Sequence, residues 1–107
     1  MIANDRAPQQ ISLDGDLDIA ATPLLTSRLT GCDPERDLVV DVARVTFIDS
    51  AGLRELIAAH RRHTAHGSRI VLVGADPKVR RLMTITGLDV ILPMAASHAQ
   101  ALQLVQD

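Results

Sequence analysis

At 107 residues, 47% of them hydrophobic and 22% charged, the chain is long enough to bury one core and too short to join a catalytic domain to a separate regulatory one. A net charge of −2 with interspersed signs, one Phe and no Tyr or Trp leaves neither a basic stripe nor aromatic stacking platforms, which argues against nucleic acid as a partner. No apolar run nears the roughly 20 residues that cross a bilayer, Met1 to Gln10 has no apolar signal core, and lone Cys32 has no disulfide or Cys-x-x-Cys partner, so a cytoplasmic protein without membrane attachment is expected.

The polar N-terminus, with Pro8 inside it, reads as a frayed arm or short edge strand over residues 1–9. Ile11 and Leu13 alternate into the turn signal Asp14-Gly15-Asp16, which predicts a strand before it. Thr22-Pro23 has the form of an N-cap and a first-turn proline, with a looser start nearer Ala20 as the alternative. Ala21, Leu25 and Leu29 supply that helix's core stripe, and Thr30-Gly31 ends it. Leu38, Val39, Val40 and Val42 are apolar on both pleat faces, as in a strand covered on both sides, which places Asp41 near an edge. Val45, Phe47 and Ile48 form a second apolar patch before the tight polar turn Asp49-Ser50-Ala51-Gly52. Leu53, Leu56, Ile57 and His60 then recur at helical spacing, away from Arg54, Glu55, Arg61 and Arg62.

His66-Gly67 stops this central helix, with basic residues in its last turns. Arg69 to Val73 reads as a second buried strand, and Asp76-Pro77 opens a helix whose inward stripe is Val79, Leu82, Met83 and Thr86. Gly87 closes it, with Leu88 placed for the accompanying apolar contact, and Val90-Ile91-Leu92 before Pro93 predicts a third short strand. Ser97-x-x-Gln100 is a capping-box pattern for a last helix with Ala101, Leu104 and Val105 inward. Alternating strands and helices imply right-handed crossovers and a largely parallel α/β sheet; periodicity leaves open whether helices cover one face or both.

Ser50 stands at the start of the central helix. Its hydroxyl either caps that helix, or Asp49 caps it and leaves Ser50 free for phosphorylation beside the helix dipole. Asp49 then orients the hydroxyl. The histidines at 60, 63, 66 and 98 do not converge as metal ligands would, and His60 lies more than two helical turns from Ser50, a poor nucleophile pair. A receiver-type reading, with Asp49 as phosphoacceptor and Asp14, Asp16 and Asp18 around a Mg²⁺, ranks third. It lacks one βα unit and a Lys after the strand ending at Val73.

The run Val39 to Leu56, with Phe47-Ile48-Asp49-Ser50-Ala51-Gly52-Leu53 at its centre, resembles the STAS domain of anti-sigma factor antagonists, whose signature is F-[MI]-D-S-[STA]-G-L. Gly15-Asp16-Leu17-Asp18 with Ala21 to Leu24, and Val79 to Leu82 with Thr86-Gly87-Leu88, extend the resemblance from Ile11 to the C-terminus. It implies a single STAS domain over residues 1–107, with a mixed, largely parallel sheet of four to five strands and about four helices mostly on one face.

The resemblance also implies a non-enzymatic partner switch with no cofactor or metal of its own. The unphosphorylated form binds an anti-sigma factor that is a serine kinase of histidine-kinase-like ATPase fold, freeing a sigma factor. Phosphorylation of Ser50 with the kinase's ATP and Mg²⁺ ends binding, and a serine phosphatase resets it. The partner-binding set is Asp16, Asp18, Asp49, Ser50, Ala51, Gly52, Arg54 and Glu55. Two positions depart from the family: Ala51 removes a second hydroxyl, and Arg54 replaces a frequent Gly with a long cation. The alternative is a STAS regulatory or scaffold subunit of a transporter or other assembly, in which Ser50 is structural.

Overall fold

The computed structural model describes residues 7–106. Strand β1 (Gln9–Leu17) leads through a 3₁₀ turn (Ile19–Ala21) into helix α1 (Thr22–Thr30); β2 (Leu38–Ile48) leads into α2 (Ser50–Ala65). The chain continues through β3 (Ile70–Val73), α3 (Pro77–Ile85), a second 3₁₀ turn (Leu88–Val90), β4 (Met94–Ala95) and α4 (His98–Gln106). The four strands lie in the order β1-β2-β3-β4, and every described pairing is parallel. The resemblance implies a mixed sheet, and among the described residues it is parallel throughout; most of the expected frayed arm or short edge strand over residues 1–9 falls on residues 1–6, outside the described residues. Gln9 is already in β1, where its side-chain amide donates to the carbonyls of Asp33 and Arg36 and accepts from the Asp33 N–H.

β2 and β3 are apolar on both pleat faces because both faces are covered. Leu38, Val40, Val42, Ile70 and Leu72 pack with Leu25 and Leu29 of α1, Leu56 of α2, and Val79 and Met83 of α3. Val39, Val71, Val73 and Ala95 pack with Ala101 and Val105 of α4. Three helices therefore cover one face and one covers the other. At about 1.5–3 kcal/mol for each large aliphatic side chain removed from water, the first face carries most of the stabilisation.

β2 departs from simple alternation in its second half. From Val42 to Ile48 its burial repeats every third residue, because the register against β1 shifts between Ser12 and Asp14 and again between Gly15 and Asp16, each time giving β2 one extra residue. Such bulges bend a strand and re-aim its side chains. The expected second apolar patch is thus the continuation of one strand. Val45 and Ile48 turn inward while Phe47 stays 51% exposed. Asp41 sits in the middle of the sheet, paired with Val73, the last residue of β3. Beyond it β2 runs on without β3, so the carboxylate remains half-buried and accepts from the Ala43 N–H.

Two further expectations are corrected. Val90-Ile91-Leu92 is no strand: Gly87, at φ +76°, turns the chain into the Leu88–Val90 3₁₀ turn, leaving Val90 86% exposed and Leu92 buried. The last strand forms after Pro93, whose carbonyl accepts from Leu72. The buried face of α2 is Gly52, Leu53, Leu56, Ala59 and His63, rotated by about one position from the Leu53-Leu56-Ile57-His60 stripe. His63 is in the core; Ile57 and His60 are half-buried. The capping box at Ser97 forms in part: Ser97 Oγ accepts from the Gln100 N–H as expected, while Gln100 Oε1 accepts from the N–H of Ala96, one residue before the cap.

Candidate functional site

The site forms where the end of β1 meets the start of α2. Asp49, in extended conformation, is the N-cap: Oδ1 accepts from the N–H groups of Ala51 at 2.9 Å and Gly52 at 3.2 Å. Its own N–H donates to the Leu17 carbonyl. Gly52 is required by this junction, because a Cβ there would stand 2.3 Å from the Leu17 carbonyl oxygen, far inside contact distance. The glycine lets the helix seat directly on the strand end, which brings Asp16, Leu17 and Asp18 against the Asp49–Gly52 turn.

Of the two capping assignments, the one through Asp49 holds, and Ser50 is the first residue of the helix, exposed and with no hydrogen bond to its hydroxyl among the described residues. The capped amides are spent, so charge placed on Ser50 meets the dipole of α2 rather than two open N–H donors. Arg54, also exposed, lies one turn further on, at the spacing that puts side chains on the same face. Ser50 and Arg54 share a groove of about 430 Å³ with Leu53, Ile57, Ala58, Arg61, Thr86 and Leu88. Ala51 is half-buried beside it.

The acids of the set have local roles. Asp18 caps the first 3₁₀ turn, accepting from the Ala21 N–H at 3.0 Å, so the looser start before Thr22 is the one that forms. Asp16 accepts from the Thr46 hydroxyl at 2.8 Å, tying β1 to β2. Glu55 is half-buried and accepts from the Thr26 hydroxyl at 2.6 Å, which ties α2 to α1. Asp16 and Asp18 thus hold the strand end in place, Asp49 holds the helix start, and Ser50 and Arg54 face water.

Exposed apolar residues border this region. Phe47, grouped by its spacing with the apolar patch of Val45 and Ile48, faces out, and Ile19 and Leu24 are exposed on the segment after β1. The signal for Phe47 lies in the bulges, which alternation counting does not see. At the far end of α2 the buried His63 bonds through Nδ1 to Ser68 Oγ at 2.8 Å, and that hydroxyl donates to the Pro34 carbonyl at 2.7 Å. Burial pushes the His63 pKa below its ordinary value, with Arg62 acting the same way, against the Arg36 carbonyl and Asp37 and Asp33. Burial raises the Cys32 pKa. Among the described residues, no cluster of three or more His, Cys, Asp or Glu is arranged to hold a metal ion, and no helix is long and apolar enough to cross a membrane.

A parallel α/β sheet thus carries an aspartate-capped, serine-led helix seated on the neighbouring strand end. The chain belongs to the STAS family: the family model described as "Mlab, STAS domain" matches residues 1–93. It is similar to the anti-sigma-B factor antagonist of Staphylococcus aureus, 28% identical over 81 residues, 74% of this chain and 75% of that one. Among solved structures, an anti-sigma factor antagonist from Mycobacterium paratuberculosis superposes with a TM-score of 0.79 at 28% identity, over 94% of this chain and 86% of the other. A sulfate transporter family protein from Wolinella succinogenes shares the fold, with a TM-score of 0.77 at 16% identity over 92% and 84% of the two chains.

Proposed function

We propose that this protein is an anti-sigma factor antagonist that works as a phosphorylation switch. In its unphosphorylated form it binds an anti-sigma factor that is a serine kinase of histidine-kinase-like ATPase fold, through the Asp16–Asp18 strand end, the Asp49–Gly52 turn and Arg54, and a sigma factor is released. Phosphorylation of Ser50 ends the complex; a serine phosphatase restores it. The protein acts by binding in the cytoplasm and needs no cofactor of its own.

The observation that carries this reading is the division of labour at the helix start: because Asp49 caps α2, the exposed Ser50 hydroxyl is free to be modified without undoing the fold. The anti-sigma-B factor antagonist relatives support the general role. A phosphoserine carries about −1.5 to −2 charge at neutral pH. A partner surface that buries a neutral hydroxyl would have to desolvate that dianion, and an uncompensated buried charge costs several kcal/mol. The test is intact mass after incubation with candidate kinases and ATP, with calorimetry on the products. One phosphate on wild type and none on Ser50→Ala is expected, with affinity lost on phosphorylation. Equal affinity of both forms, or phosphorylation of Ser50→Ala to the same stoichiometry, would overturn the switch. A stable complex with a transporter ATPase, indifferent to Ser50, would establish the scaffold reading instead.

A further inference from the structure

The formal charge of this chain is segregated. Residues 50–91 carry seven Lys or Arg against three Asp or Glu, while the other residues carry four against ten. The three acids in the basic stretch are engaged locally: Glu55 accepts from Thr26, Asp76 caps α3, and Asp89 accepts from Thr84. Arg54 and Arg61 therefore flank the α2 groove with no ion pair among the described residues. The groove is apolar between them, with Leu53, Ile57 and Ala58 on one side and Leu88 on the other. Ile85 and Val90, 74% and 86% exposed, lie next in sequence to the groove's Thr86 and close in sequence to its Leu88. From Ser50 to Arg61 the helix rises about 16 Å, the length of roughly three turns of a second helix.

We infer that this groove is the docking site for an acidic amphipathic helix of about three turns supplied by a partner protein. Its apolar residues lie on Leu53, Ile57, Ala58 and Leu88, and its carboxylates pair with Arg54 and Arg61. Helix-in-groove recognition takes its affinity from such i, i+3, i+4 anchors, and the flanking charges set orientation and exclude basic competitors. The inference rests on the partner-switch reading for the identity of the partner, and it adds where the partner's segment lies: Ser50 stands at the mouth of the groove, so a phosphate there repels the carboxylates and competes for Arg54.

The test uses the full ¹⁵N-labelled chain and a 14-residue peptide with leucines on one helical face and glutamates on the other; a second peptide carries lysines in place of the glutamates. The acidic peptide should shift amide resonances of Leu53, Ile57, Ala58, Thr86 and Leu88. Its affinity should fall at least tenfold in the Arg54→Glu/Arg61→Glu protein, and in Ala58→Gln, which fills the groove without changing its charge. The lysine peptide should not bind. Unchanged affinity in both variants, equal binding of the lysine peptide, or shifts confined to another face overturn the inference. So does occupation of the groove by a second copy, seen as the same shifts on raising the protein concentration alone, or binding to phosphatidylglycerol vesicles but not to peptide. Ser50 separates the two proposals. If phosphorylated and unphosphorylated protein bind the acidic peptide equally while the groove variants lose it, the docking site stands and the switch falls. If the peptide ignores the groove while phosphorylation still releases the kinase, the switch stands and the docking site falls.

Discussion

The two ends of α2 solve opposite problems with the same kinds of group. At its N-terminus a carboxylate takes up the free amides and leaves a hydroxyl, Ser50, exposed and unbonded. At its C-terminus a second hydroxyl, Ser68, is buried between His63 and the Pro34 carbonyl, joining α2 to the loop before β2. The difference is one of exchange against anchorage. On the proposed switch, Ser50 changes its charge and is best left in water, where the fold owes nothing to its bonds; a group that ties elements together is best kept dry, where loss of a partner is costly. The strand-end junction at Gly52 belongs with the second kind although it lies next to the first.

That contrast breaks most severely at Gly52. In Gly52→Ala the new methyl group would meet the Leu17 carbonyl oxygen, backbone that is itself held by the β1–β2 ladder, so the helix must lift from the strand end. Overpacking of this kind costs about 1–3 kcal/mol and at times more, and the upper part of that range is expected. A denaturant midpoint close to wild type would show that the junction yields easily.

Phosphorylation of Ser50 should reverse the proportion, with a large change in binding and a small one in stability. The dianion beside Asp49 is opposed by repulsion and favoured by the helix dipole at roughly 0.3–1 kcal/mol and by a charge-assisted contact with Arg54. Terms of similar size leave the melting temperature nearly unchanged while kinase affinity falls by orders of magnitude, since an uncompensated buried charge costs several kcal/mol. Ser50→Asp, with fewer oxygens and less charge, should weaken binding only in part. Calorimetry and thermal melts on the three proteins check both halves of the statement.

The buried end should respond to pH. Burial lowers the His63 pKa in the folded protein, so above the ordinary value of about 6.5 both folded and unfolded chains hold it neutral and its contribution is intact. As pH falls below about 6.5 the unfolded chain takes up a proton that the folded one resists, and stability is lost progressively until pH passes the lowered folded value. His63→Gln, which keeps an amide for Ser68, should flatten this acid limb of the melting curve. An NMR titration of His63 in the folded protein with a midpoint at or above about 6.5 would remove the basis of the prediction.

Much of this architecture is legible in the sequence where one rule acts alone. Apolar runs on both pleat faces announce a strand covered on both sides, Asp76-Pro77 and Ser97-x-x-Gln100 announce helix starts, and His66-Gly67 announces a stop. Legibility fails where rules compete. The two β2 bulges are set by pairing with β1, so no property of Val42 to Ile48 alone tells that Phe47 faces out. The rotation of α2 that buries His63 rather than His60 depends on a hydroxyl and a carbonyl, Ser68 and Pro34, distant from one another in sequence. Val90-Ile91-Leu92 has strand propensity, overridden by the left-handed Gly87 and by Leu88 docking on the core. At the site, spacing alone leaves Asp49 and Ser50 equal as caps.

The smallest expected effects decide that last point. Asp49→Ala removes the acceptor for two amides, and losing an N-cap side chain costs about 1 kcal/mol, a drop of roughly 4–8 °C in melting temperature for a domain of this size. Ser50→Ala removes an exposed hydroxyl without a partner and should stay within about 0.5 kcal/mol of wild type. Asp49→Asn sharpens the comparison, because asparagine caps about as well as aspartate but carries no charge. Its unphosphorylated form should melt close to wild type, and its phosphorylated form should be the more stable of the two phosphoproteins, since the like-charge neighbour of the phosphate is gone. Thermal melts of the three variants and of both phosphoproteins separate the roles. If Ser50→Ala loses as much stability as Asp49→Ala, the hydroxyl is part of the cap, and a switch that acts on a group the fold does not use has no foundation at this position.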